Sequence, residues 1–340
     1  MTTQAAAPST TRVTSSIAVD WIPLALVPAL ALAALPLVGS APTWVTLTVA
    51  GLAMGMMIFM MASGLTLVFG LMDVMNFAHG IFISVGAYGA ATVLTRMTRQ
   101  MEAGSLASDL SAMIPAVLAA IALAALLGWF FERVLIRPVY GDHLKQILIT
   151  MGGLIVFEQL IHVVWGPDMI PLPRPGAITG AFILGDAAIE RYRVLAVIVG
   201  LAVFAAMWQL LNRTKIGLLV RAGVENPEMV ESLGYRIKRL FVGVFVAGSG
   251  LAGLGGAMWA MYQEQVTAQM GMQVLVVIFI VVIIGGLGSV GGCFVGAMLV
   301  GLMANYTGYL APKLALGSNI LLMVLILLWR PRGLYAIGKA

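Results

Sequence analysis

Residues 64 to 89 read GLTLVFGLMDVMNFAHGIFISVGAYG. Two apolar runs flank one polar cluster, Asp73, Asn76 and His79, with glycines on both sides and no long loop between them. Backbone that leaves helical form at membrane depth persists only where protein or a water-filled cavity satisfies its hydrogen bonds. The stretch therefore admits two readings. In one, Asp73 and Asn76 satisfy the backbone of a tight turn at the membrane surface. In the other, a discontinuous helix near residues 72–80 lines a translocation path or its inner gate, with Asn76 more exposed to that path than Asp73.

Working outward, the rest of the chain is of the same kind. Of 340 residues, 61% are hydrophobic and 10% charged, against roughly 45–50% and about 25% in soluble domains. That excludes an ordinary soluble enzyme. Apolar runs fall at about 21–39, 44–71, 80–95, 112–131, 147–165, 193–211, 240–262, 273–289, 291–310 and 317–329, and a helix of about 20 apolar residues spans a bilayer. The expected fold is an all-α polytopic membrane protein with about ten transmembrane helices. The run at 21–39 reads as a span rather than a signal peptide, because it is long, carries Pro23, Pro28 and Pro36, and has only Arg12 before it. If the N-terminus is cytoplasmic, thirteen of the 19 Lys and Arg fall on the cytoplasmic side. The positive-inside rule then places both termini in the cytoplasm, the Pro-rich loop 166–192 outside and the basic loop 212–239 inside. Residues 1–19 read as a disordered cytoplasmic tail and 20–340 as one transmembrane domain. Basic clusters of this kind mark cytoplasmic loops, so the expected surroundings are a lipid bilayer and not nucleic acid. The single cysteine, Cys293, excludes an intrachain disulfide.

Ser63-Gly64-Leu65, Gly70, Met72 and Met75 recur 186 residues on as Ser249-Gly250-Leu251, Gly256, Met258 and Met261. Chance is a serious competitor in a chain with 39 Gly and 22 Met; the alternative is an inverted repeat of five and five spans. In the basic loop, Asn226 suits a helix N-cap, Pro227 the first helical position, Glu228 the first turn and Gly234 the terminus. Two turns of helix are marginal alone, so this one is expected to dock on the membrane interface, on the chain's own helix ends or on a partner. Gly286-Leu287-Gly288-Ser289-Val290-Gly291 fits the G-x-G-x-x-G spacing, but it joins two spans and reads as helix packing or a flexible turn rather than a dinucleotide site. No G-x-x-x-x-G-K-[ST] occurs, so any ATP used must be bound by another chain. Met54, Met56, Met57, Met60 and Met61 read as adaptable packing rather than a copper ladder. Glu158 and His162 lie four residues apart on one helix face, as a polar pair or a proton relay. With three His in the chain and no paired-ligand or catalytic spacing around them, neither a catalytic residue nor a metal site is expected.

Several motifs in one order resemble a known family. Asn76-Phe77-Ala78-His79-Gly80 with Gly86-Ala87-Tyr88, Glu132-Arg133, Arg137-Pro138, Gly166-Pro167, the loop Gly217 to Gly234, Gly285-Gly286-Leu287-Gly288-Ser289 and Arg330-Pro331-Arg332-Gly333-Leu334 are similar to the H-type membrane subunit of branched-chain amino acid ABC importers, over about residues 44–336. Cys293 stands where that family leads one to expect proline, and Glu158 with His162 adds unusual polarity. The resemblance implies a non-catalytic permease of the bacterial inner membrane. It implies a second, M-type permease subunit, two ATP-binding subunits carrying ATP and Mg, and a periplasmic substrate-binding protein. It also makes the loop helix a coupling element, with Arg221, Glu225, Asn226, Pro227, Glu228 and Gly234 at the ATPase interface. Asn76, His79, Gln263 and Glu264 are the expected path residues, the last two because they follow the second repeat element. A permease for urea or short amides, and a secondary transporter driven by protons through Glu158 and His162, remain the alternatives.

Overall fold

The computed structural model describes residues 21–102, 105–225 and 227–335; the tail at 1–19 and Asn226 lie outside them. The helices are α1 (Ile22–Val38), α2 (Ala41–Met72), α3 (His79–Leu94), α4 (Thr98–Glu102), α5 (Leu106–Phe130), α6 (His143–Trp165), α7 (Arg191–Arg213), α8 (Lys215–Glu225), α9 (Pro227–Ser232), α10 (Ile237–Gln263), α11 (Met270–Gly285), α12 (Val290–Leu310) and α13 (Ala315–Trp329). Each expected apolar run holds a helix, yet among the described residues six helices are long and apolar enough to cross a membrane. The shorter apolar helices are Ile22–Val38, His79–Leu94, Met270–Gly285 and Gly317–Trp329. For α3 and α11 the reason is geometric: 16 residues rise about 24 Å, and both begin inside the bundle rather than at its surface.

The core is made by α2, α10 and α12, whose apolar windows are mostly buried, whereas α5, α6 and α7 bury far less of theirs. With no water to drive helices together, close packing in such a bundle depends on small residues. Gly64 faces Gly248 and Gly70 faces Gly288, and a Cβ on either Gly64 or Gly70 would overlap the opposing backbone. The turn between α11 and α12 follows from the same constraint. Gly286 and Gly288 hold φ of 92° and 82°, Ser289 caps α12 by accepting from the Gly292 N–H at 3.0 Å, and the glycine-rich spacing is used for packing. The methionines at 56, 57, 60 and 61 are buried in this core.

Two short antiparallel pairs lie at one end of the bundle. β2 (Ala181–Leu184) pairs with β3 (Ala187–Glu190), and β1 (Ile170–Pro171) pairs with β4 (Gln265–Val266). The opposite end carries α8, α9 and the end of α5, which passes into a π-helical turn (Phe131–Ile136) and a 3-10 turn (Arg137–Val139). Asp142 caps α6 there, accepting from the Lys145 N–H at 3.1 Å. That bond, with the Lys145 ammonium beside it, holds the Asp142 carboxyl below its usual range.

Candidate functional site

α2 ends at Met72 and Asp73 closes it in the left-handed region, φ 50°, donating its N–H to Phe69 O at 3.0 Å. The chain then turns back into the bundle. His79, the first residue of α3, has Nε2 2.9 Å from the carbonyl oxygen of Met61, so the break recovers about 16 Å of the length of α2. Between these points burial alternates: Val74, Asn76 and Ala78 are buried, Met75 and Phe77 partly exposed, Asp73 exposed. Residues 73–76 are irregular and Phe77–Ala78 form a turn, with the His79 N–H directed at Asn76 O at 3.4 Å.

Non-helical backbone inside a bundle needs partners, and α6 supplies them. The Met75 N–H donates to Gln146 Oε1 at 3.2 Å and the Phe77 N–H to Thr150 Oγ1 at 3.2 Å. Asn76 Oδ1 accepts from the Ala78 N–H at 3.1 Å. Asn76 Nδ2 and His79 Nδ1 are buried without partners.

Exposure to solvent in this chain runs from Asp73 to Asn76, the opposite of the order expected toward the path. The Asp73 side chain is 79% exposed and lies 3.5 Å from His143 Nε2, whereas Asn76 and His79 are each 1% exposed. The left-handed cap leaves Asp73 at the bundle end, and the turn after Asn76, closed by its Oδ1 on the Ala78 N–H, keeps Asn76 in the core.

A second break follows α10 in the same manner. Glu264 closes that helix with φ 57°, and α11 begins at Met270. Ser84 Oγ donates to Ala268 O at 2.8 Å and accepts from the Gly271 N–H at 3.1 Å. Arg174 reaches the end of α10 from the Pro-rich loop between α6 and α7: Nε lies 3.0 Å from Met261 O and 3.1 Å from Glu264 Oε1, and one Nη is 2.8 Å from Tyr262 O. A cation on the last carbonyls of a helix is the favourable end for its charge. Gln263 and Glu264 are exposed at that end, so the four expected path residues divide between the bundle interior and one mouth. The two breaks nevertheless meet, because Gly80 and Gly271, in the first turns of α3 and α11, pack backbone to backbone.

Beside this contact α11 exposes a stripe of Gln269, Met272, Gln273 and Val276, and Phe77 of the first break packs on Phe279 with ring centroids 5.0 Å apart. Two glutamines on an otherwise apolar helix are costly against hydrocarbon, so they mark a face turned to protein, water or cargo. The sequence reading missed Ser84, Gln146, Thr150, Gln269 and Gln273. The available signal was the same for both glutamine pairs: polar residues four apart, Gln146 with Thr150 and Gln269 with Gln273, inside or at the edge of apolar runs.

Residues 47–329 match the family model described as the branched-chain amino acid transport system permease component. The chain belongs to this permease family. Its relatives include the high-affinity branched-chain amino acid transport system permease protein BraD of Pseudomonas aeruginosa, 27% identical over 84% of this chain and 93% of that protein. LivH of Escherichia coli K12, of the same description, is 25% identical over 84% of this chain and 92% of its own length. A probable branched-chain amino acid transport permease protein LivM of Methanocaldococcus jannaschii is 24% identical over 81% and 89%. No solved structure matches at a significant level.

In this permease the basic loop is more helical than expected. An 11-residue helix, α8, precedes the expected short one, α9, which starts at Pro227 with Glu228 in its first turn. Gly234, φ 87°, ends it, with the Tyr235 N–H donating to Val230 O at 3.3 Å, a closing bond of the left-handed type. Arg221 and Glu225 lie on α8; Asn226, the expected cap, is outside the described residues. Among the described residues no hydrogen bond joins Glu158 to His162, and His162 Nε2 instead lies 3.4 Å from Gln269 Nε2. Cys293 is buried in α12.

Proposed function

We propose that this chain is the membrane permease subunit of an ATP-driven importer of branched-chain amino acids. The observation that carries this reading is the family match across residues 47–329, together with relatives that align over most of both chains. It has no catalysis of its own. A second, M-type permease pairs with it, as the similarity to proteins of both the H and M descriptions supports. Two ATP-binding subunits hold ATP and Mg, and a periplasmic binding protein delivers cargo to the inner membrane.

In this reading ten helices cross the bilayer as two inverted halves. The left-handed caps at Asp73 and Glu264 support the halves, since each is followed six residues later by a 16-residue helix. That register differs by five residues from the offset of 186 in the sequence repeat. The charge bias assigns the α8–α9 end and both termini to the cytoplasm. The coupling surface is then α8 and α9, with Arg221, Glu225, Asn226, Pro227, Glu228 and Gly234.

The cargo path runs over the stripe of Gln269, Met272, Gln273 and Val276 and past Phe77. Apolar walls with a few polar groups suit an aliphatic side chain that carries a carboxylate and an ammonium. Gln263 and Glu264 stand at the outer mouth. Asn76 and His79 are buried near this path, and an opening of the first break exposes Asn76 Nδ2 as a donor to the cargo carboxylate and His79 Nδ1, whose Nε2–H is spent on Met61 O, as an acceptor for the cargo ammonium. The test is uptake of labelled leucine by proteoliposomes holding the permeases, the ATP-binding subunits and the binding protein. Uptake should require ATP inside the cytoplasmic compartment; uptake driven by a proton gradient without ATP removes the reading.

A further inference from the structure

At the α8–α9 end a cavity of about 760 Å³ opens between the π-helical end of α5 and the start of α10. Five cations line it: Arg133, Arg137, Arg236, Lys238 and Arg239. Two carboxylates, Glu132 and Glu231, share the lining, and Glu132 is engaged by the Tyr140 hydroxyl at 3.1 Å. Among the described residues, none of the five cations lies within 4.0 Å of a carboxylate. Like charges gathered in one partly enclosed space repel, and an anion placed among them relieves that repulsion.

The walls indicate which anion. Trp129, Phe130 and Val134 are exposed on the same helix end as Arg133, as expected of a surface turned to acyl chains. Arg239 also lines a second cavity, of about 330 Å³, whose other walls are apolar, among them Leu67, Met207, Leu211, Val220 and Val244. One side chain therefore joins a basic chamber to an apolar one. Inside the basic chamber Glu132 Oε2 is buried without a partner, an acceptor suited to a headgroup hydroxyl. Basic pockets between helix ends on the cytoplasmic side recognise anionic headgroups on these terms.

We propose that the chamber between the end of α5 and the start of α10 binds an anionic phospholipid, its phosphate among Arg133, Arg236 and Arg239 and one acyl chain in the apolar cavity beside Arg239. The site is independent of the cargo. It ties the start of α10 to a lipid, next to the short helices of the basic loop.

Native mass spectrometry of the full-length chain, released from detergent doped with phosphatidylglycerol or phosphatidylcholine, tests this. The wild type should retain phosphatidylglycerol at least about tenfold better than phosphatidylcholine. Arg133→Gln/Arg236→Gln/Arg239→Gln should lose that preference, and the matching Lys replacements should keep most of it, which separates lost charge from lost folding. Gly243 lines the apolar cavity with open space around its Cα, so Gly243→Leu should fill that space and lower retention with no change of charge. Arg213→Gln/Lys215→Gln, outside the chamber, should leave retention unchanged. Equal retention of the two lipids overturns the proposal. So does displacement of phosphatidylglycerol by inorganic phosphate with Gly243→Leu without effect, which identifies a soluble-phosphate site. In a parallel reconstitution with the ATP-binding subunits, loss of those subunits from the triple Gln variant while the chain alone retains phosphatidylglycerol unchanged would also overturn it, as the mark of a protein contact.

Discussion

Asp73 and Glu264, 191 residues apart, are the two non-glycine residues with positive φ among the described residues, and each closes a long core helix just before a break. The left-handed region costs an L-residue roughly 1–2 kcal/mol, most for branched side chains and least for glycine. Asp73→Gly should therefore keep thermal stability in detergent within about 0.5 kcal/mol of the parent, while Asp73→Val lowers it by about 1–2 kcal/mol. Equal stability of the two variants would mean that the cap geometry is not held in the folded protein.

The first break depends on α6 for its backbone partners. Gln146→Ala with Thr150→Val leaves the Met75 and Phe77 N–H groups without acceptors, at roughly 1–3 kcal/mol each. The expected result is a fall in the assembled, detergent-stable fraction of the protein, with uptake per assembled complex falling less. If the double variant assembles as the parent does, the break is held by something other than these two side chains.

Much of this architecture was legible in the sequence. The apolar runs located the helices, Pro227 and Gly234 located the ends of α9, and Asp73 to Gly80 located a break. What the runs could not show is depth. Helices α3 and α11 have the composition of spans, but where α3 begins depends on hydrogen bonds accepted by Gln146 and Thr150 of α6, and where α11 begins depends on Ser84 of α3. The polarity of Asn76 marked it as a residue with a task, but its burial is set by the turn it closes on the Ala78 N–H, which no residue pattern announces. The offset of 186 was found in repeated Ser, Gly and Met residues, whereas the observed caps and helix starts correspond at 191. Repeated small residues follow packing contacts, and these slide along a helix more easily than its ends do.

The loop helices give a prediction that separates coupling from folding. Asn226→Ala with Pro227→Ala removes the expected cap and the first helical proline of a six-residue helix, and a helix so short forms only with such support. Leucine uptake should fall at least about fivefold while ATP hydrolysis by the reconstituted complex continues without its response to cargo. Normal uptake with normal cargo-stimulated hydrolysis would take α9 out of the coupling surface.

Sidedness can be read with one introduced thiol. Ser232, at the end of α9, is exposed, and Cys293→Ser removes the native cysteine. In that background Ser232→Cys should react with an impermeant maleimide only when the cytoplasmic face is opened. Labelling of intact cells or right-side-out vesicles at this position reverses the orientation derived from the basic residues.

The last prediction concerns which side chains meet the cargo. Gln273 is exposed on α11 and no side-chain hydrogen bond holds it among the described residues, while Asn76 is buried with Nδ2 unpartnered. Gln273→Leu keeps the volume of the side chain and removes its polarity, so a lipid-facing or purely packed residue would lose nothing, and assembly would improve if anything. A path residue would lose cargo contacts instead. The expected outcome is normal assembly with uptake per assembled complex reduced about tenfold, a loss of about 1.4 kcal/mol in transport. Asn76→Ala removes the bond to the Ala78 N–H, worth about 1 kcal/mol, and should lower uptake beyond what its smaller loss of assembly accounts for. If both variants lose uptake only in proportion to assembly, the two breaks are a structural joint and the path lies elsewhere. If only Gln273→Leu loses uptake at full assembly, the stripe on α11 carries the cargo and Asn76 serves the break alone.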